Sequence, residues 1–236
     1  MIPVTHAPPL RPDVAAWLRG LAELPDDPIL TEMHALAAAR RFPIVGPEVG
    51  RLLAQVTTMT GARRVFEMGS GFGYSTLWFA RAVGPNGRVY HTDGDPENTR
   101  LAKDFLTRAG LADRVMFLTG DAREHLTQAT GQFDIVFCDI DKEQYPSAYE
   151  LFRGRVRVGG AVIVDNLVWS GRVAAGETDA DTEGVREYIR LMWADPEYLS
   201  SLLPVRDGVG LSLRHPLAAR RTPTGPLPSD SSEDAD

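Results

Sequence analysis

A doubly wound α/β sheet, mostly parallel and closed by one antiparallel hairpin strand, is the fold class the sequence predicts. Two observations carry it. From residue 64 onward, short apolar runs alternate with amphipathic segments, the pattern of successive βαβ units. Toward the other end, Asp207-Gly208 stands between two apolar runs, and a hairpin turn of two residues joins only antiparallel neighbours. With 236 residues, 43% hydrophobic and 24% charged, the chain is long enough for one large domain around its own core, and disorder throughout is excluded.

The first sixty residues read as helical, at 14–24, 28–41 and 47–59, because apolar residues recur at three- and four-residue intervals. Pro28 and Pro47 suit first helical positions. Together they form a helical cap, residues 1–60, integral to the main domain of residues 61–215. Strands are predicted at 65–68, 89–92, 115–118, 133–138 and 161–164, with helices at 75–83, 96–109, 122–129 and 144–155 between them. A polar insertion at 171–183, a helix at 182–193 and the hairpin at 202–214 follow. Residues 216–236 carry four prolines and end in acidic residues, which predicts a disordered, solvated tail. No period of twenty to fifty residues points to a repeat architecture.

A formal net charge of -7 argues against an extended nucleic-acid surface and favours small-molecule partners. No apolar run is long enough to span a bilayer and no secretory leader is evident, so a soluble, cytoplasmic protein without membrane contact is expected. The single cysteine, Cys138, excludes an internal disulfide and a cysteine-based metal site; it reads as a buried core thiol. The five histidines show no ligand spacing.

Glu67-Met68-Gly69-Ser70-Gly71-Phe72-Gly73 follows a predicted strand and opens a helix, where glycines permit a tight turn and close ligand approach. Asp93 ends the next strand, placed to accept hydrogen bonds from a ribose. Together they point to an adenosine-containing ligand, leaving nicotinamide and sulfonium cofactors both open. Asp139 and Asp165-Asn166 close two strands separated by one crossover, so their carboxyl ends should meet. Two carboxylates and an amide oxygen are hard ligands suited to magnesium, calcium or manganese. Lys142, three residues past Asp139, is a candidate general base there. Tyr74, Tyr145 and Trp169 flank the crevice and are read first as packing residues.

Taken together, Glu67-Met68-Gly69, Gly73-Tyr74-Ser75, Asp93, Gly120-Asp121-Ala122, Asp139-Ile140-Asp141-Lys142 with Tyr145, and Asp165-Asn166 with Trp169 and Gly171 resemble the metal-dependent class I O-methyltransferases of the catechol and caffeoyl-coenzyme A type. The resemblance implies a Rossmann-like fold with seven strands, helices on both faces and extra N-terminal helices, and a dimer. It implies S-adenosylmethionine held near Val45, by Gly69, Ser70 and Ser75, with its ribose on Asp93 and its adenine near Asp121 and Ala122. Glu67 would support the cofactor's amino-acid end; Asp139 would serve both cofactor and metal. Asp139, Asp165 and Asn166 would hold the ion, most often magnesium, and Lys142 would take the proton from a vicinal hydroxyl of a catechol-like substrate. Ile140 stands where the coenzyme A type usually has alanine, and the insertion after Gly171 has its own sequence. The segment 42–50 also resembles relatives that methylate 5-hydroxyuridine in transfer RNA, for which Arg40, Arg41, Arg63, Arg64, Arg153, Arg155 and Arg157 would contact phosphates. A nicotinamide oxidoreductase is the third reading.

Overall fold

The computed structural model describes residues 12–22 and 27–216, so the tail predicted for residues 216–236 lies outside the described residues from 217 on. Strands β1 (Arg64–Met68), β2 (Arg88–Asp93), β3 (Val115–Thr119), β4 (Phe133–Cys138), β5 (Val156–Val164), β6 (Tyr198–Leu203) and β7 (Val209–Arg214) form one sheet in the order β3-β2-β1-β4-β5-β7-β6. Pairs among the first five strands are parallel, whereas β7 runs antiparallel to both β5 and β6. The strand order reverses between β1 and β4, the point where open α/β sheets form a ligand crevice at the strands' carboxyl ends.

Helices α1 (Pro12–Ala22), α2 (Pro28–Arg40), α3 (Gly46–Met59), α4 (Tyr74–Ala82), α5 (Pro96–Arg108), α6 (Ala122–Gln128), α7 (Tyr145–Phe152) and α8 (Ala180–Ala194) complete the described elements. Successive strand residues point to opposite faces, and the two cores divide accordingly. Val65, Val89, Ile135, Phe137 and Ile163 pack under α2 to α5, while Phe66, Met68, Val136, Cys138, Val162 and Val164 pack under α6 to α8. Both faces being covered explains why the central strands read as unbroken apolar runs. Met33, Leu53 and Val56 from the N-terminal helices join the first core.

Local chemistry sets the helix starts. Asp27, Asp95, Asp121 and Asp179 each accept a hydrogen bond from a backbone N–H of the first turn, and prolines occupy early positions in α2, α3, α5 and α7. Asp179 explains why α8 begins inside the segment predicted to be an insertion.

Three predicted boundaries move. The hairpin is present, but residues 204–208 join its strands rather than Asp207-Gly208 alone, and β6 starts at Tyr198. The reason is that this pair is used elsewhere: the Asp207 and Gly208 carbonyls accept from Val168 and Leu167 N–H, and Asp207 Oδ1 accepts from Ser170 N at 2.6 Å. β5 begins at Val156 rather than 161, with its register to β4 shifted between Phe133 and Ile135. The helix predicted at 144–155 spans only Tyr145–Phe152: a 3₁₀ turn, Lys142–Gln144, takes its start, and a turn in which Arg155 N donates to the Phe152 carbonyl takes its end.

That turn is wedged against α8. A Cβ on buried Gly184 would lie 2.3 Å from the Lys142 carbonyl oxygen, so only glycine allows the approach. Gly184→Ala should therefore destabilise the protein by ~1–3 kcal/mol in denaturant melts. Helix propensity alone predicts stabilisation by up to ~1 kcal/mol; a more stable variant would contradict the packing.

Candidate active site

A cleft of about 550 Å³ opens at the carboxyl ends of β1, β2 and β4. Its floor is the loop between β1 and α4. Gly69 takes a φ of 78°, and a Cβ there would sit 2.2 Å from the Asp139 carbonyl oxygen, so β1 and β4 can close on each other only around glycine. The loop is stapled to β2: Ser70 N donates to the Thr92 carbonyl at 2.9 Å, Thr92 N to Ser70 Oγ at 3.1 Å, and Gly71 N to Asp93 Oδ2 at 2.9 Å. The other Asp93 oxygen accepts from Asp95 N and Asn98 Nδ2. Asp93 thus holds the loop's shape while facing the cleft.

Val45, Gly69, Ser70, Ser75, Asp93, Asp121, Ala122, Asp139 and Lys142 all line this one cavity, although they come from five separate stretches of chain. Ile140 lines it too, and so do Phe42 and Gln144, to which the sequence assigned no role; apolar or amide side chains carry no chemical signal until the fold places them. Asp121 also caps α6 and pairs with Arg123 at 2.7 Å, which holds its carboxyl below the usual range.

Glu67 is not on the wall. It is fully buried beneath the loop, where burial pushes its carboxyl up to about 7 against the opposing pull of the Ser75, Thr76 and Ser70 hydroxyls. Thr76 Oγ1 donates to Glu67 Oε2 at 2.5 Å and lies 3.0 Å from Nδ1 of His91, itself buried and pushed down to about 4. Among the described residues Glu67 Oε1 and His91 Nε2 have no hydrogen-bond partner. Sequence reading missed His91, which shows itself only as a buried neighbour of Thr76.

Asp139 and Asp165 follow the paired strands β4 and β5. Lys142 Nζ donates to Asp139 Oδ1 at 2.9 Å and to the Ile140 carbonyl at 3.0 Å, and it stands over the Tyr145 and Trp169 rings. Asp165 is buried with Oδ1 unpartnered; burial, and then the Asp139 charge, push its carboxyl up to about 7. Among the described residues no three His, Cys, Asp or Glu side chains form a metal cluster; the oxygen donors expected for an ion are this acidic pair and the Asn166 amide. An unpartnered buried carboxylate repelled by a second one fits a cation at that place. Asn166 takes a φ of 61°, and its Nδ2 donates to Asp207 Oδ2 at 3.5 Å. Tyr145 is fully buried, its hydroxyl donating to the Asp165 carbonyl at 2.9 Å, and Cys138 is a buried core thiol as expected.

The arginines weighed for phosphate contact are largely engaged. Arg40 pairs with Glu97, Arg153 with Asp195 and Arg157 with Asp134, while Arg64 and Arg155 donate to backbone carbonyls. Among the described residues no helix is long and apolar enough to cross a membrane.

A family profile described as O-methyltransferase matches residues 22–215. A catechol O-methyltransferase of Mycobacterium tuberculosis is 37% identical over 191 residues, covering 80% of this chain and 86% of the relative. Another of Niastella koreensis is 29% identical, covering 84% and 94%. Among solved structures, an O-methyltransferase of Bacillus cereus in complex with S-adenosylhomocysteine superposes with a TM-score of 0.77 at 30% identity, covering 86% of this chain and 97% of that one. An O-methyltransferase of Streptomyces achromogenes involved in tomaymycin synthesis, in complex with S-adenosylmethionine, gives 0.77 at 27% identity over 86% and 97%.

The buried acid makes a signed prediction. Unfolded Glu67 ionises near its ordinary value of 4.5, the folded one only near 7, so between these pH values rising pH removes stability. Glu67→Gln lacks that loss. Its stability relative to the parent should therefore climb by about 1.4 kcal/mol per pH unit across this window and level off above it. Denaturant titrations from pH 4 to 8 check this; a difference independent of pH would contradict it.

Proposed function

The chain belongs to this O-methyltransferase family, and from that premise we propose that it moves the methyl group of S-adenosylmethionine to one hydroxyl of a vicinal diol on a small, catechol-like aromatic acceptor, with a divalent metal ion, magnesium, bound beside it. The carrying observation is the single cleft in which the glycine loop, Asp93 and Asp121 meet Asp139 and Lys142, with buried Asp165 on the neighbouring strand end. The relatives named catechol O-methyltransferase support the acceptor class, and the cofactor-bound neighbours support the methyl donor.

In this reading the backbone of Gly69, the Ser70 and Ser75 hydroxyls and Val45 hold the methionine part of the cofactor, Asp93 its ribose, and Asp121 with Ala122 its adenine. Glu67 acts from below, shaping the loop through Ser70, Ser75 and Thr76 rather than by touching ligand. Asp139, Asp165 and Asn166 would hold the metal ion, whose chemistry is to acidify a bound hydroxyl and fix its oxygen beside the methyl donor. A phenol with a pKa near 10 needs such help at neutral pH. Lys142 takes the hydroxyl proton at Nζ; the oxygen then attacks the methyl carbon in line, and the sulfonium sulfur leaves with its electron pair as S-adenosylhomocysteine. Lys142 is seated for this by Tyr145 and Trp169, which exclude water from one side. Of the arginines of the transfer-RNA reading, Arg40, Arg64, Arg153, Arg155 and Arg157 are engaged with the protein itself, and no observation favours a nicotinamide cofactor.

Two outcomes follow. A chelator should abolish methyl transfer to catechol from labelled cofactor while leaving S-adenosylhomocysteine binding intact by calorimetry; undiminished turnover in stripped protein would remove the metal from the account. Lys142→Ala should lower kcat by about 10²–10⁴ with little change in cofactor affinity, and a variant within threefold of the parent would assign the proton to another group.

A further inference from the structure

A second, larger cavity of about 1120 Å³ lies beside the first, between α1, α3 and the 204–208 loop. The two share a wall. Val45 lines one and Pro47 the other, while the Tyr74 hydroxyl of the first and His34 Nε2 of the second share a hydrogen bond of 2.8 Å. Ser170 and Asp207, which fasten the Asn166 segment, also line it. Through Asp207 the second cavity therefore reaches the segment that carries Asn166, next to Asp165.

Arg206 stands in that wall. Its guanidinium fills the space a side chain on Gly46 would need, at the start of α3, and its charge bears on Asp165, Tyr74 and His34. Half of the described arginines are spent on carboxylates at hydrogen-bonding distance, as Arg157 is on Asp134, Arg172 on Glu177 and Arg214 on Glu197. Arg206 makes no hydrogen bond among the described residues, and its nearest carboxylate, Glu48, is 3.9 Å away. Its backbone also takes a left-handed φ of 50°, a conformation that non-glycine residues hold only when surroundings impose it, and one that gathers at binding sites. Arg51 and Arg19 line the same cavity, Arg51 with Nε on the Ala22 carbonyl.

We propose that the second cavity holds the far end of the acceptor, whose diol reaches the first cleft at Lys142, and that Arg206 anchors a carboxylate there, so that the preferred acceptors are aromatic diols carrying an acid group on the side away from the reacting hydroxyls. This rests on the acceptor class given above and adds to it. A guanidinium with free donors in a partly enclosed cavity binds a carboxylate through paired, charge-assisted hydrogen bonds. Glu48 opposes that anion at short range, which favours one negative charge over two.

The test compares 3,4-dihydroxybenzoate with its uncharged partner 3,4-dihydroxybenzaldehyde. Both are titrated calorimetrically into the full chain loaded with S-adenosylhomocysteine and magnesium, and both are assayed for methyl transfer. The parent protein should prefer the acid about tenfold in affinity and in kcat/KM. Arg206→Gln should bring the two within threefold by weakening the acid alone, while Glu48→Gln, which removes the competing charge, should widen the preference. Equal handling of both compounds by the parent, or equal weakening of both in Arg206→Gln with an unchanged melting temperature, would overturn the proposal. Binding preference with no methylation of either compound would instead count against diol chemistry and leave the anion site standing.

Discussion

The contact on which the site depends is the approach of the Gly69 backbone to the carbonyl of Asp139. It exists because β1 and β4 are parallel neighbours and because Asp139 N donates to the Met68 carbonyl at 2.8 Å, carrying the pairing one residue beyond the end of β4. A side chain at residue 69 would force the two strand ends apart. With none, the loop that faces the cofactor cleft and the residue that begins the acidic site lie in van der Waals contact. Distances across the cleft are thus set by sheet geometry, the stiffest part of the fold, rather than by flexible loops.

Around that contact the protein tolerates unusual electrostatics. A carboxyl and an imidazole are buried under the loop, and a second carboxyl lies unpartnered at the end of β5. Burial is costly for each, and none is required by the apolar cores on either face of the sheet. Their clustering along the carboxyl edge, together with left-handed Asn166 and Arg206, marks that edge as the place where stability is given up for function.

The architecture was legible because its signals are local. Alternating apolar runs and amphipathic segments place five parallel strands, and the positions of Asp139 and Asp165 after β4 and β5 follow from the length of one crossover. The hairpin was visible too, yet its turn was not, since Asp207 and Gly208 are occupied by backbone and side-chain bonds to 166–170, a partnership forty residues away in sequence. The start of α8 was misplaced because Asp179, read as part of a polar insertion, is a helix cap. In the site, charged and glycine residues announced themselves by type. Phe42, His91 and Arg206 did not, because their roles come from what the fold sets beside them: a ring over the loop, a hydroxyl shared with a buried acid, and the bare backbone of Gly46.

The account as a whole rests on one divalent ion shared between Asp139 and Asp165 next to the cofactor cleft. Electron paramagnetic resonance of manganese(II) titrated into the full chain addresses it directly. The account predicts one tight site per chain, lost in the Asp139→Asn, Asp165→Asn double variant, whose signal changes when S-adenosylhomocysteine and a catechol are added together. Equal manganese binding in the parent and the double variant, or a signal indifferent to the diol, would contradict it.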